Sequence, residues 1–169
     1  MKVVITGGPC SGKTTLINEL KKRGYYCLDE VAREILTENK NISFLELQEE
    51  VFKKQIQKEN NINGELVFLD RGLVDNYVYY SQSNNFPDYI KNFEYKGRYD
   101  KILFLERFQF ENDGLRIEKD EKEAGEIHDK IRHTYSNFGY NLLEVPRMDV
   151  GKRADFILFH IKDLKGGGN

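Results

Sequence analysis

The chain has 169 residues, with 26 Lys plus Arg against 28 Asp plus Glu and a formal net charge of −2. One domain and one core suit that length, since a domain runs about 100–200 residues and a chain this long buries roughly 70% of its unfolded surface. Hydrophobic residues at 39% and charged residues at 32% exclude a disordered chain; the balanced charge argues against a dedicated nucleic-acid binder, and no apolar run approaches the roughly 20 residues of a membrane span.

Lys2 to Thr6 is a short β-branched run that predicts a buried strand. Its apolar stretch is too short for a secretory signal, and Cys10 and Cys27 form neither a CxxC pair nor a disulfide framework, so a reduced, cytoplasmic setting is expected. Gly7-Gly8-Pro9-Cys10-Ser11-Gly12-Lys13-Thr14 then fits G-x-x-x-x-G-K-[ST] at every fixed position. Thr15 to Arg23 predicts a helix with Leu16, Ile17 and Leu20 as its apolar stripe and Gly24 as its stop. Strand, loop and helix in this order make a phosphate cradle. Glycines let successive N–H groups turn toward phosphate oxygens, and the helix N-terminus adds its positive end. Lys13 is placed to reach the β- and γ-phosphates and the Thr14 hydroxyl to join a Mg²⁺ shell.

Tyr25 to Leu28 reads as a second strand ending at Asp29-Glu30, followed by a helix over Val31 to Glu38. Ser43 and Glu46 have the capping-box spacing before an amphipathic helix running to about Asn60. Glu65 to Asp70 is a third, continuously apolar strand, as in a parallel sheet buried on both sides. A helix from Val74 to about Ser81 and a polar loop through Asn84, Asn85 and Pro87 follow. Tyr99 to Leu105 predicts the fourth strand, Arg107 to Asp120 a charged segment, Glu121 to Phe138 a helix, Asn141 to Val145 the fifth strand and Met148 to about Leu164 the last helix. The expected division is a single domain over 1–164 with a lid near 107–120, and a tail over 165–169.

Alternating strands and helices imply an α/β three-layer sandwich, a five-stranded mainly parallel sheet with helices on both faces. Ligands in such sheets bind at the carboxyl ends of the strands. The loop, Asp29-Glu30, Asp70-Arg71 and Glu106-Arg107 all fall at such ends. Asp70 closes an hhhhD motif and is a candidate to hold Mg²⁺ or take a proton. Motor ATPases usually place an acid after this aspartate to activate water. Here Arg71 stands instead, which suits a second substrate and phosphoryl transfer. Glu30, with Arg33 one turn on, is a candidate for the acceptor, and Arg107 and Arg116 are candidate lid arginines. His128, His133 and His160 lack metal spacing and are expected to be structural, as are Tyr77, Tyr79 and Tyr80.

Gly7 to Leu16, Glu30-Val31-Ala32-Arg33, Leu69 to Asp75, Asp113-Gly114-Leu115-Arg116, Gly139-Tyr140 and Val145-Pro146 together resemble the small AAA_28-type, or Ttd14-like, ATPases. That group is similar to the kinase domain of nicotinamide riboside kinases and, more distantly, to deoxynucleoside and thymidylate kinases. The resemblance implies a P-loop NTPase fold of the nucleoside-kinase kind. It implies nucleotide binding by Gly8, Pro9, Cys10, Ser11, Gly12, Lys13, Thr14, Thr15 and Arg107, and acceptor binding by Glu30, Arg33 and Arg71. Catalysis would involve Lys13, Asp70, Arg71 and Arg116, with Mg²⁺ held by Thr14 and Asp70. The expected ligands are ATP, or GTP, and a small nucleoside- or nucleotide-like acceptor, with no nucleic acid. The alternative is a nucleotide-dependent switch or binding module with weak NTPase activity. The guanine-reading N/T-K-x-D motif is missing, since Asn39-Lys40-Asn41-Ile42 lacks the aspartate.

Overall fold

A computed structural model describes residues 1–111 and 118–166. Its strands are β1 (Lys2–Thr6), β2 (Cys27–Leu28), β3 (Val67–Asp70), β4 (Lys101–Leu105) and β5 (Leu142–Val145). They form one sheet in the order β2-β3-β1-β4-β5, and every pairing is parallel. The helices are α1 (Lys13–Lys22), α2 (Val31–Glu38), α3 (Phe44–Asn60), α4 (Leu73–Tyr80), α5 (Asp88–Lys91), α6 (Glu121–Asn137) and α7 (Val150–Gly166).

Alternation along β1 explains the layering. Val3 and Ile5 point to one side, where they pack with Leu16, Leu20 and Phe68 and with Ala154, Ile157 and Ile161 of α7. Val4 points to the other, joining Leu69, Leu73, Val78, Phe104, Ile127 and Tyr135. Each side chain needs an apolar cover, which is why the strands read as unbroken hydrophobic runs. The Ser43–Glu46 capping box forms as its spacing predicts, with Ser43 N donating to Glu46 Oε2 at 3.1 Å and Ser43 Oγ accepting from Glu46 N at 3.4 Å.

Differences from the sequence reading are local. Strands β2, β3 and β4 are shorter at their N-terminal ends, and α1 begins two residues earlier, at Lys13. The short α5 lies where a loop was expected to continue, opened by Pro87. Helix α7 runs on through Lys165 and Gly166, the first two residues of the expected tail. Tyr77 and Tyr80 do pack against rings, with Tyr77 edge-on to Phe86, Tyr95 and Phe138 and Tyr80 stacked on Phe86.

The register brings the chemistry together. Ile5 stands opposite Asp70 across the β1–β3 pair, and Leu28 opposite Leu69 across β2–β3. The turn after β1, Glu30 and Asp70-Arg71 therefore emerge side by side at the carboxyl edge.

Candidate functional site

The turn between β1 and α1 is a left-handed cradle: Gly7 has φ 137°, Cys10 φ 57° and Gly12 φ 79°. Only glycine takes the first and last of these without strain, whereas Cys10 carries a side chain in the αL region. Helix α1 starts at Lys13, so its first amides have no carbonyl one turn back and face the mouth of the turn. Lys13 is 6% exposed. Its Nζ donates to Gly7 O at 2.9 Å, Gly8 O at 2.8 Å and Ser11 Oγ at 3.1 Å. Burial lowers its pKa to about 8, with the Arg71 charge acting in the same direction.

Thr14 Oγ1 donates to Asp70 Oδ2 at 3.4 Å. Asp70 is 3% exposed, and its Oδ1 has no hydrogen-bond partner among the described residues. Burial, together with the Glu30 charge, pushes this carboxyl up to about 7. Hard oxygen donors with an orphaned carboxylate oxygen suit Mg²⁺, and binding a cation would relieve the charge that burial penalises. No cluster of three or more His, Cys, Asp or Glu side chains is poised to hold a metal among the described residues, so a cation here depends on Thr14 and its phosphate ligand as well.

Arg71 takes a positive φ of 71°, and its N–H donates to Ile5 O at 3.1 Å, tying the end of β3 to β1. Its Nε donates to Glu30 Oε1 at 2.8 Å, and its Nη1 to Asp75 Oδ1 at 3.5 Å. Burial raises the Glu30 carboxyl, but the Arg71 and Lys13 charges outweigh it and hold the group below the usual carboxylate range. Arg33 reaches Glu30 from the next turn at 3.7 Å.

Asp75, which closes the stretch Leu69 to Asp75, is a hub of the site. Its carboxylate is buried and accepts from Thr6 Oγ1 at 2.5 Å, Tyr135 Oη at 2.7 Å and Gly72 N at 3.0 Å as well as from Arg71. It joins β1, α4, α6 and the Asp70-Arg71 turn. Asp75→Ala is expected to destabilise the fold by about 3–5 kcal/mol, because the Arg71 charge and three donors would lose their acceptor. Chemical denaturation with a constant m-value would measure it; a loss under 1 kcal/mol would show that the hub is dispensable.

These groups line one cavity of about 990 Å³. On one side are Pro9 to Thr15, Phe108, Arg147 to Val150 and Arg153. On the other, α2, α3 and α4 supply Val31, Val51, Gln48, Gln55, Asn76 and Tyr79, with Glu118 beside them. Asn76 Nδ2 donates to Gln48 Oε1 at 2.9 Å, while Asn76 Oδ1 is buried with no partner among the described residues. Tyr79 is the exception among the tyrosines expected to be structural. It donates to Glu118 Oε1 at 2.7 Å, and the Arg71 guanidinium lies 5.5 Å from its ring centre.

Pro9, Cys10, Ser11, Gly12, Lys13, Thr14, Thr15, Glu30, Arg33, Asp70 and Arg71 all lie on the wall of this cavity. Arg107 and Gly8 do not line it. Arg107 is 8% exposed behind the loop, where Nε donates to Pro9 O at 3.0 Å and the two Nη atoms grip Glu121 at 3.0 and 3.1 Å. Its guanidinium is committed to carbonyl and carboxylate, so in this arrangement it braces the loop instead of reaching a nucleotide. Arg116 lies outside the described residues. Arg153 on α7 was missed by the sequence reading. It is 2% exposed and donates from Nη1 to Ser11 O at 2.5 Å, with Phe108 stacked 4.8 Å away. His128 was expected to be merely structural, yet its Nδ1 accepts from Gly8 N at 3.0 Å.

Comparison with known proteins agrees with this architecture. A 63-residue stretch is 41% identical to a dephospho-CoA kinase of Buchnera aphidicola subsp. Schizaphis graminum, covering 36% of this chain. The chain thus spans only 30% of the length of that curated relative in the match. The fold superposes on deoxyadenosine kinase from M. mycoides with dCMP and a flexible dCDP bound, at TM-score 0.72 and 15% identity over 97% of this chain and 100% of that one. It also superposes on the NadR protein in complex with NR, at TM-score 0.75 and 20% identity over 99% of this chain and 50% of that one. At these identities the two structures establish the P-loop nucleoside-kinase fold. The AAA_28 family, described as an AAA domain, matches residues 2–153, and the chain belongs to that family.

Proposed function

We propose that this protein is a small-molecule kinase that transfers the γ-phosphoryl group of a nucleoside triphosphate to a hydroxyl of a nucleoside-like acceptor. The observation that carries the reading is a single cavity whose lining joins the loop residues Pro9 to Thr15 to the amide side chains Gln48, Gln55 and Asn76 of α3 and α4. A hydrolytic switch needs only the loop end of such a cavity. The likeness to a dephospho-CoA kinase and the kinase folds above support the same class.

In this reading the amides from Cys10 to Thr15 and the Lys13 ammonium hold the triphosphate. Thr14 and Asp70 would hold Mg²⁺, which when bound neutralises charge on the transferring group. Arg71 lies between Glu30 and Asp75, where its charge balances that of the incoming phosphoryl. Glu30 orients the acceptor hydroxyl and takes its proton as the oxygen attacks the γ-phosphorus and the bond to the β-phosphate bridge breaks. Gln48, Gln55 and Asn76 provide hydrogen-bonding groups for a ring edge, with Val31 and Val51 as apolar walls.

The charge of the lining near α2, α3 and α4 narrows the acceptor. Glu30, Asp70, Asp75 and Glu118 face Lys13, Arg33 and Arg71 among the described charged residues there, four carboxylates to three cations. A phosphate dianion would enter an excess of carboxylates, so the acceptor is an uncharged or cationic nucleoside instead of a nucleotide. The test is nucleotide turnover with ATP or GTP and Mg²⁺ across matched pairs of nucleosides and their 5′-monophosphates, nicotinamide riboside included. Nucleosides should stimulate turnover at least tenfold more than their monophosphates. Preference for the monophosphate would overturn the charge argument, and tight nucleotide binding with no acceptor-dependent turnover would overturn the kinase reading in favour of a binding module.

A further inference from the structure

Three consecutive residues of the phosphate loop are gripped from one direction. Gly8 N–H donates to His128 Nδ1 at 3.0 Å, Pro9 O accepts from Arg107 Nε at 3.0 Å, and Cys10 O accepts from Phe108 N at 2.8 Å. His128 sits on α6, and Arg107 is anchored to Glu121 in the first turn of the same helix. The histidine bond is the least expected of the three, because it joins residues 120 positions apart.

Gly8 is buried, and a buried N–H without a partner is costly, so that donor must end on protein or on ligand. Pro9 has no N–H. With the Gly8 donor spent on His128, the amides left to meet a phosphate begin at Cys10, on the far side of the bend. The contact leaves no room for variation: a Cβ on Gly8 would lie 2.7 Å from His128 Cβ and 3.0 Å from Arg107 Cδ. The imidazole is itself held, with its ring 4.5 Å from that of Phe104 at 48°. Burial, with the neighbouring Arg132 and Arg107 charges, lowers its pKa to about 4, which keeps Nδ1 free to accept at neutral pH.

We propose that His128 is a positioning residue for the phosphate loop: by accepting the Gly8 N–H it sets the entry to the loop, so that the following amides are already aimed at the polyphosphate of a nucleotide. This rests on the loop binding a nucleotide but not on the kinase reading, since it requires no acceptor. The effect travels through Gly8, and His128 itself touches no substrate.

The experiment compares His128→Asn, His128→Gln and His128→Phe. Asparagine can place Oδ1 near the native Nδ1 position, glutamine carries the same amide one methylene further out, and phenylalanine keeps only the packing. Affinities would be measured for MgATP, MgGTP and Mg-tripolyphosphate, with amide exchange at Gly8 followed by NMR in the ligand-free protein. His128→Gln and His128→Phe should weaken all three ligands about tenfold and speed Gly8 exchange by a similar factor. His128→Asn should recover most of both losses. Equal affinity in all three variants would overturn the proposal, as would an asparagine variant no better than glutamine, which would reduce His128 to packing. If the wild-type protein binds none of the three ligands, the nucleotide reading fails, and Gly8 exchange unchanged in His128→Gln would separately refute the hydrogen bond's role. Should His128→Phe fail to fold, the Asn–Gln pair decides alone.

Discussion

Lys13→Ala is expected to weaken Mg-nucleotide binding at least 100-fold while the protein remains folded. The ammonium is buried and has no carboxylate partner in direct contact among the described residues. Its three bonds go to Gly7 O, Gly8 O and Ser11 Oγ, all neutral acceptors of the loop itself. That arrangement stores a cation where phosphate oxygens would replace neutral carbonyls, and charge-assisted bonds are roughly twice as strong as neutral ones. Losing about 3 kcal/mol of such contacts corresponds to somewhat more than 100-fold in affinity. Calorimetric titration with MgATP and MgGTP measures it, alongside circular dichroism to check the fold. An affinity within tenfold of wild type would refute the assignment of this loop as the phosphate site.

Asp70→Asn is expected to abolish turnover, by 1,000-fold or more, and at the same time to stabilise the ligand-free protein at pH 8. The loss follows from removing the carboxylate that, with Thr14, would hold Mg²⁺. The gain follows from linkage. Burial and the Glu30 charge raise the Asp70 carboxyl to about 7 in the folded protein, against an ordinary value of 3.8. The folded state then binds the proton more tightly than the unfolded state. Its stability is therefore full below about pH 4 and declines by roughly 1.4 kcal/mol per pH unit until the folded value is passed. Asparagine carries no charge and escapes this decline. The variant should melt roughly 9–18 °C higher than wild type at pH 8, at about 2–4 °C per kcal/mol for a chain of this size, and within about 2 °C of it at pH 4. Saturating Mg-nucleotide should reverse the order by stabilising the wild type alone. An asparagine variant less stable than wild type at pH 8 would show that Asp70 is satisfied as a charge within the fold.

Local signals were enough for much of this architecture. Glycines at fixed spacing, a β-branched run before them and a helix after them leave few alternatives for residues 2–22. The unbroken apolar strands announce a sheet covered on both sides, and position at a strand end marks Glu30, Asp70 and Arg71 as neighbours once the sheet is parallel. Short helix α5 escaped notice because four residues carry no periodic pattern. Tyr79 looked like its neighbours Tyr77 and Tyr80 because an aromatic cluster on a short helix does not reveal which ring faces a cavity.

The glycine-rich loop, the α/β layering and the strand-end carboxylates are legible along the chain, because each depends on residues close together or on a simple period. The remaining contacts arise only on folding. His128 meets Gly8, Arg153 meets Ser11, and Asp75 gathers donors from Thr6 and Tyr135 across 69 and 60 residues. Such pairings carry no sequence period, since sheet order and helix packing set their distances. Arg107 shows the same principle in reverse. Its position after β4 suggested contact with a nucleotide, but the guanidinium turns toward the Pro9 carbonyl and the Glu121 carboxylate, where a buried charge finds its acceptors. The overall charge of −2 likewise concealed an arrangement that only folding makes visible: a loop with a buried ammonium, on a cavity whose described lining carboxylates outnumber its arginines.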